Sequence, residues 1–283
     1  MITRIILALA AALCLALTAC GSGTPSAAGR REVVAAFYPL AFAAEQIGGP
    51  GLDVANLTPP GTEPHDLEVS PRDVQRVDSA DLVLLLGHGF QPQLEDAAGN
   101  GDKVVRLLDT EGLRRFPNGD PHVWLDPLRY ALIATRIGAV LHRKAAADRF
   151  VSRLHALDRD YRDGLRDCAR REIVTSHEAF AYLADRYGLR QVAITGLTPE
   201  AEPAPQDIQR VVTLVRETGA TTVFFETLVS PRLAETVARE AHAKTAVLNP
   251  IEGLTPEEAA AGEDYFSLME TNLRSLRRAL GCR

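Results

Sequence analysis

The sequence predicts an α/β fold of two lobes, each with a mainly parallel sheet flanked by helices, joined by a single long rigid helix. Three observations carry this. Short apolar runs alternate with segments of helical periodicity; the series is interrupted by one long amphipathic stretch and then begins again; and Ser-Pro and Asp-Pro pairs mark helix starts between the runs. In the first series, Glu32 to Phe37, Val54 to Leu57, Leu82 to Leu86 and Val104 to Leu107 read as strands, with helical segments between them. Ser70 before Pro71 supplies an N-cap followed by proline at the first helical position, and Asp126 before Pro127 repeats the device.

From Ala145 to Cys168 the apolar residues Phe150, Leu154, Leu157, Tyr161, Leu165 and Cys168 recur at steps of three and four, the spacing of one helix face. At about 1.5 Å per residue this helix would run some 35 Å, enough to tie one lobe to the other; lying on one lobe only is the alternative. The second series opens with a strand at Glu172 to Thr175 and a helix from about Glu178 to Tyr187. It continues with a strand near Val192, a helix from about Gln206 to Glu217, and a strand at Thr222 to Phe225. A helix from about Pro231, a strand at Thr245 to Leu248 and a helix from about Asp264 to Leu280 complete it. The expected organisation is therefore 31–144 for the N-terminal lobe, 145–170 for the connecting helix and 171–283 for the C-terminal lobe.

Ahead of these elements, Arg4 is followed by an apolar run from Ile5 to Leu17 and by Leu17-Thr18-Ala19-Cys20. The run falls short of the ~20 residues of a membrane-spanning helix and reads as a signal peptide over 1–19. The LTAC tetrapeptide resembles the lipobox of bacterial lipoproteins, which makes Cys20 the lipidated first residue and 20–30, rich in Gly and Ser, a tether. Cleavage after Ala19 with Cys20 left as a free thiol is the other reading. The expected location is outside the cytoplasm, anchored to the cell membrane by that lipid. Of four cysteines, Cys168 and Cys282 remain for the folded part. An even pair in an oxidising compartment points to a disulfide, two buried thiols being the alternative.

The net charge is −6 and no run of Lys or Arg stands out, which argues against a nucleic-acid partner. Among seven histidines, three sit in loops beside Pro, Ser or acidic residues: His65 in GTEPHDLEVSP, His122 in DPHVWLDP and His177 in TSHEAFAYL. His177 directly follows a strand, and ligands of parallel sheets gather beyond strand carboxyl ends. Glu252, in LNPIEGL, occupies the same position after its own strand. His142 and His155 fall inside expected helices, and His242 ends one, whereas His88 in LGHGF also follows a strand and stays a weaker candidate. Three imidazoles and a carboxylate suit Zn(2+) better than manganese, which favours more oxygen donors, and four protein donors leave no open position for catalysis. The metal would sit in the cleft between the lobes. Because imidazole must be neutral to coordinate, affinity is expected to fall below about pH 6.

At these residues the chain resembles a known group. GTEPHDLEVSP, DPHVWLDP, IVTSHEAFAYLADRYGL, GLTPEAEPAP, and LNPIEGL followed by GEDYFSLMETNL are similar, in order, to motifs of the zinc-binding solute-binding lipoproteins of metal ABC importers (cluster A-I). The resemblance implies metal ligation by His65, His122, His177 and Glu252, with Zn(2+) as transported cargo and an ABC importer permease in the membrane as partner. It also implies a monomer with no enzymatic activity, and a Cys168–Cys282 bridge that clamps the last helix to the base of the second lobe. Manganese-importing relatives usually carry glutamate for the third histidine and aspartate for the last carboxylate, and neither replacement is present. A departure is the lack of the histidine-rich loop that many zinc-importing members carry between the first two ligands; here the region between Phe90 and Asp120 offers QPQLEDAAGNGD, short and acidic. The other functions to weigh are a manganese importer, a surface adhesin with a structural zinc, and a zinc hydrolase with Glu63 or Glu178 as base, for which no HExxH is present.

Overall fold

The computed structural model describes residues 30–199 and 201–283; the signal peptide, Cys20 and most of the tether lie outside these described residues. Arg31–Arg283 forms one compact unit. Its first half contains β1 (Arg31–Ala35), α1 (Tyr38–Gly48), β2 (Leu52–Asn56), α2 (Pro71–Ser79), β3 (Leu82–Leu85), α3 (Pro92–Ala98), β4 (Val104–Arg106) and α4 (Pro127–Val140). After α5 (Lys144–Gly164) come β5 (Glu172–Thr175), α6 (Ala181–Tyr187), β6 (Arg190–Ala193), α7 (Pro205–Thr218) and β7 (Thr222–Phe225). The chain then runs through α8 (Arg232–Ala241), β8 (Lys244–Val247), α9 (Pro256–Ala261) and α10 (Tyr265–Leu280).

Two four-stranded sheets result, ordered β2-β1-β3-β4 and β6-β5-β7-β8, and every pairing is parallel. The central strand β3 is a continuous buried apolar run, and β1 and β5 are buried from their third and second residues onward, because helices cover both faces. In each sheet the strand order reverses beside the first strand, at β1/β3 and β5/β7, which opens a crevice at the carboxyl ends.

The helix starts follow their local chemistry. Ser70 accepts from Asp73 N and Asp73 reciprocates, a capping box, with Pro71 in the first turn. Asp126 accepts from Leu128 N and Arg129 N at the start of α4. The amphipathic α5 buries Phe150, Leu154, Leu157 and Tyr161 and packs on α1, α4 and α10, so it touches elements from both halves. Gly138 of α4 lets it approach closely: a Cβ there would lie 2.3 Å from the Ala147 Cβ.

One apolar core runs from the first sheet along α5 to α10 and α6, and a smaller one lies between the second sheet and α7 and α8. Polar bonds cross the larger core. Tyr161 Oη donates to Met269 O at 2.6 Å, Tyr265 Oη to Trp124 O at 2.6 Å, and Trp124 Nε1 to Pro250 O at 2.8 Å. Cys168 and Cys282 form a disulfide that holds the end of α10 against the segment leaving α5. Among the described residues no helix is long and apolar enough to cross a membrane.

Three local expectations change. The helix expected to reach Cys168 stops at Gly164, since the chain must turn for Cys168 to meet Cys282. The helix expected from Glu178 begins at Ala181, because residues 176–180 are held by other bonds: Thr175 Oγ1 donates to His177 O at 2.7 Å and Glu178 N to Gly196 O at 2.9 Å. His142 is not helical; it turns the chain between α4 and α5 at φ 56°. The helical segment expected between the third and fourth strands is α3, opened by Pro92 within QPQLEDAAGNGD; it buries Leu94, and Gln91 Nε2 donates to Thr58 Oγ1 at 3.1 Å.

Candidate metal centre

Four loops bring the site together. Glu63 caps the short 3-10 turn Pro64–Asp66 by accepting from His65 N at 3.2 Å, which presents the His65 ring inward. Gly61, at φ +86°, donates its N–H to Leu254 O at 2.8 Å and so ties this turn to the loop carrying Glu252. His122 is fixed twice by Asp120, whose Oδ1 accepts from His122 N at 2.9 Å and from Nδ1 at 2.7 Å. His177 follows β5, and its Nδ1 donates to Glu226 Oε1 at 2.8 Å; Glu226 itself directly follows β7. Each of these carboxylates holds one ring nitrogen and leaves the opposite Nε2 facing the site.

Glu252 is placed by a strained turn after β8. Ile251 adopts φ 57°, rare for a β-branched residue, and its N–H donates to Asn249 Oδ1 at 2.7 Å. Asn249 is in turn gripped by Asn272, which accepts from Asn249 N at 2.8 Å and donates to Asn249 O at 2.6 Å. The outcome is one carboxylate oxygen, Glu252 Oε1, lying 2.7 Å from His122 Nε2, 3.3 Å from His65 Nε2 and 3.6 Å from His177 Nε2. His122 and Glu252 are fully buried and His177 is 1% exposed, whereas the His65 side chain is 10% exposed. The rings of Phe90 and Trp124 stand against His65 and His122, at 4.7 and 5.2 Å between centroids.

Burial alone would push the Glu252 carboxyl up, but hydrogen bonds from the three imidazoles hold it well below the usual carboxylate range. Burial would likewise lower His177 and His122. The bond to Glu226, then that to Glu252, instead raises His177 to about 10, and bonds to Asp120 and Glu252 raise His122. Glu63, buried close to the Glu252 charge, is pushed up to about 9. The donor atoms of His65, His122, His177 and Glu252 all lie within 4.8 Å of one another, a set able to hold one ion. Glu252 Oε2 is buried with no hydrogen-bond partner, which a cation between these groups would relieve.

The remaining histidines stay apart. His88 pairs with Asp109 at 2.7 Å on the surface, and His155 and His242 are exposed. Glu178 lines a cavity of about 640 Å³ with Gln191 and Thr195, away from the cluster, whereas Glu63 lies beside Glu252. Sequence reasoning passed over Asp120 and Glu226 as the carboxylates that orient imidazoles. A signal for both existed: Asp120 lies two residues before His122, and Glu226 follows a strand end as His177 does.

Two parallel sheets whose loops enclose a buried cluster of three imidazoles and a carboxylate define a solute-binding fold with a candidate metal centre. The chain belongs to the ZnuA family, zinc-uptake complex component A, periplasmic, which it matches over residues 33–279. The zinc-binding lipoprotein AdcA of Streptococcus pneumoniae is 35% identical over 97% of this chain, which spans only 60% of that protein's length. The high-affinity zinc uptake system protein ZnuA of Bacillus subtilis is 32% identical, with 95% of each chain covered. The Zn(II)-bound ZnuA-like domain of S. pneumoniae AdcA superposes with a TM-score of 0.76 at 35% identity, covering 89% of this chain and 99% of that one.

Proposed function

We propose that the chain captures a zinc ion outside the cytoplasm through His65, His122, His177 and Glu252 and delivers it to a membrane ABC permease. The observation that carries this reading is the convergence of three imidazole Nε2 atoms on Glu252 Oε1 in a buried cluster. Three nitrogens and one oxygen favour zinc over manganese, and with four protein donors no coordination position is left for a reacting water, so the chain is not an enzyme. Residues 31–144 and 171–283 act as two lobes with the ion between them, and 145–170 is the strut. A lipid on Cys20 anchors a monomer at the membrane, and no nucleic acid takes part.

As the ion arrives, the proton on His177 leaves, while Asp120 and Glu226 keep the His122 and His177 rings oriented and stabilise the donor nitrogens. Elemental analysis of the purified protein tests the reading, with about one zinc per chain expected. Manganese or iron at full occupancy, or zinc content unchanged in His177→Ala, overturns it.

A further inference from the structure

One buried tyrosine ties the two halves together beside the metal centre without offering a donor to the ion. Tyr182 lies in the first turn of α6, the helix that follows His177, and is 0% exposed. Its hydroxyl accepts from Phe116 N at 2.9 Å and donates to Asp120 O at 3.1 Å. Those two partners bracket an exposed turn of Pro117, Asn118 and Gly119, in which Gly119 adopts φ +81° and donates its N–H to Phe116 O at 3.3 Å. Between Thr110 and His122 the chain forms no helix or strand, so the hydroxyl closes at both ends a turn that no regular element holds. The Tyr182 ring is fixed as well. It stacks on Phe116 with 4.3 Å between centroids and the planes 15° apart, and the Arg129 guanidinium of α4 stands 4.8 Å from its centre. Arg129 in turn pairs with Asp126, the N-cap of α4.

Asp120 bonds both the backbone N and the Nδ1 of His122, so whatever fixes the Asp120 main chain also fixes the direction in which His122 Nε2 points. Tyr182 belongs to the other half, on the helix that leaves the His177 loop. Its hydroxyl therefore sets the Asp120 loop against the His177 loop, and the Nε2 atoms of His122 and His177 come to lie 3.5 Å apart. Ordering donors from separate loops is a cost of capturing an ion, and a set assembled in advance avoids it. We infer that Tyr182 is a positioning residue for ion capture: by holding Phe116 N and Asp120 O, its hydroxyl keeps His122 in register with His177. The inference rests on the zinc-capturing reading of the four donors proposed above.

The test compares the parent chain with Tyr182→Phe, which keeps the ring against Phe116 and Arg129 and removes only the hydroxyl. Zinc affinity, read by competition with a chelating dye, should fall about 10-fold. Tyr187→Phe is the control: it deletes another largely buried hydroxyl of α6, one that donates to Asp158 at 3.3 Å and does not touch the Asp120 loop. This control should lower the melting temperature and leave zinc affinity within about twofold of the parent. In an Asp120→Asn background, Tyr182→Phe should change affinity by no more than about twofold, because the hydroxyl acts through Asp120. In the zinc-loaded parent the His122 Nδ1 proton, buried against Asp120, should give a low-field resonance that exchanges slowly with water, and Tyr182→Phe should hasten that exchange. Equal zinc affinity in the parent and Tyr182→Phe overturns the inference. So does an undiminished loss in the Asp120→Asn background, or a loss in Tyr187→Phe as large as that in Tyr182→Phe, which would make general loosening of α6 responsible. A parent chain that takes up no zinc overturns the reading of the metal centre itself, and that outcome is seen before any variant is compared.

Discussion

At the scale of single residues, the proposed site sets protons and an ion in competition for the same nitrogens. Despite its burial, His177 is raised to about 10 by its bonds to Glu226 and Glu252, so at neutral pH it carries a proton that zinc must displace, and bonds to Asp120 and Glu252 raise His122 above its ordinary value. Affinity therefore rises with pH through neutrality, and its dependence extends above the window near pH 6 that a free imidazole predicts. Calorimetric titration at pH 7.5 in buffers of different ionisation heat should count at least about one proton released per zinc, from His177; a count of zero would contradict this. The same shifts set stability before the ion is bound. A histidine raised in the folded state contributes stability that is full below about pH 6.5 and is lost as pH rises toward 10. Chelator-treated protein should accordingly melt at lower temperature at pH 9 than at pH 6.5, with zinc reversing the loss. Asp120→Asn and Glu226→Gln should each weaken zinc binding 10- to 100-fold, although neither contributes one of the four donors. The convergence of His65, His122 and His177 was legible because each stands in a loop of unusual composition. Asp120 and Glu226 were not, because a carboxylate near a loop is ordinary until a ring nitrogen is seen 2.7 or 2.8 Å away.

At the scale of elements, periodicity and caps located nearly every strand and helix to within a few residues, because each follows from local rules: buried strands as apolar runs, Ser70 and Asp126 as caps, Pro71 and Pro127 in first turns. What was missed has tertiary causes. Residues 176–180 would extend α6 if hydrogen bonds to Thr175 and Gly196 did not hold them for the site. The contact of α4 with α5 makes a sharp prediction. Gly138→Ala, helix-favouring on propensity alone, should destabilise by about 1–3 kcal/mol, since the new methyl meets Ala147 at 2.3 Å. Denaturant unfolding measures this, and Ala147→Gly in the same chain should restore part of the loss. Ser70→Ala should cost about 1 kcal/mol through the lost capping box.

At the scale of the whole molecule, the disulfide closes a span of 114 residues that contains the entire second sheet. Replacing both cysteines by serine should remove up to ~4.7 kcal/mol of stability in the chain-entropy view while leaving zinc affinity unchanged, since the bridge lies at the end of the sheet opposite the site. Differential scanning calorimetry with parallel zinc titration separates the two effects. The uneven burial of the four metal-centre residues also bears on how fast an ion comes and goes. His122, His177 and Glu252 are sealed, whereas His65, the one partly open to solvent, rides a three-residue turn fastened by a capping carboxylate and by Gly61. In the proposed reading the His65 turn would be the doorway for the ion, and its opening would set the pace of exchange. Glu63→Ala, which frees the turn, should speed zinc release to a chelator more than it weakens equilibrium binding, a split that stopped-flow competition resolves.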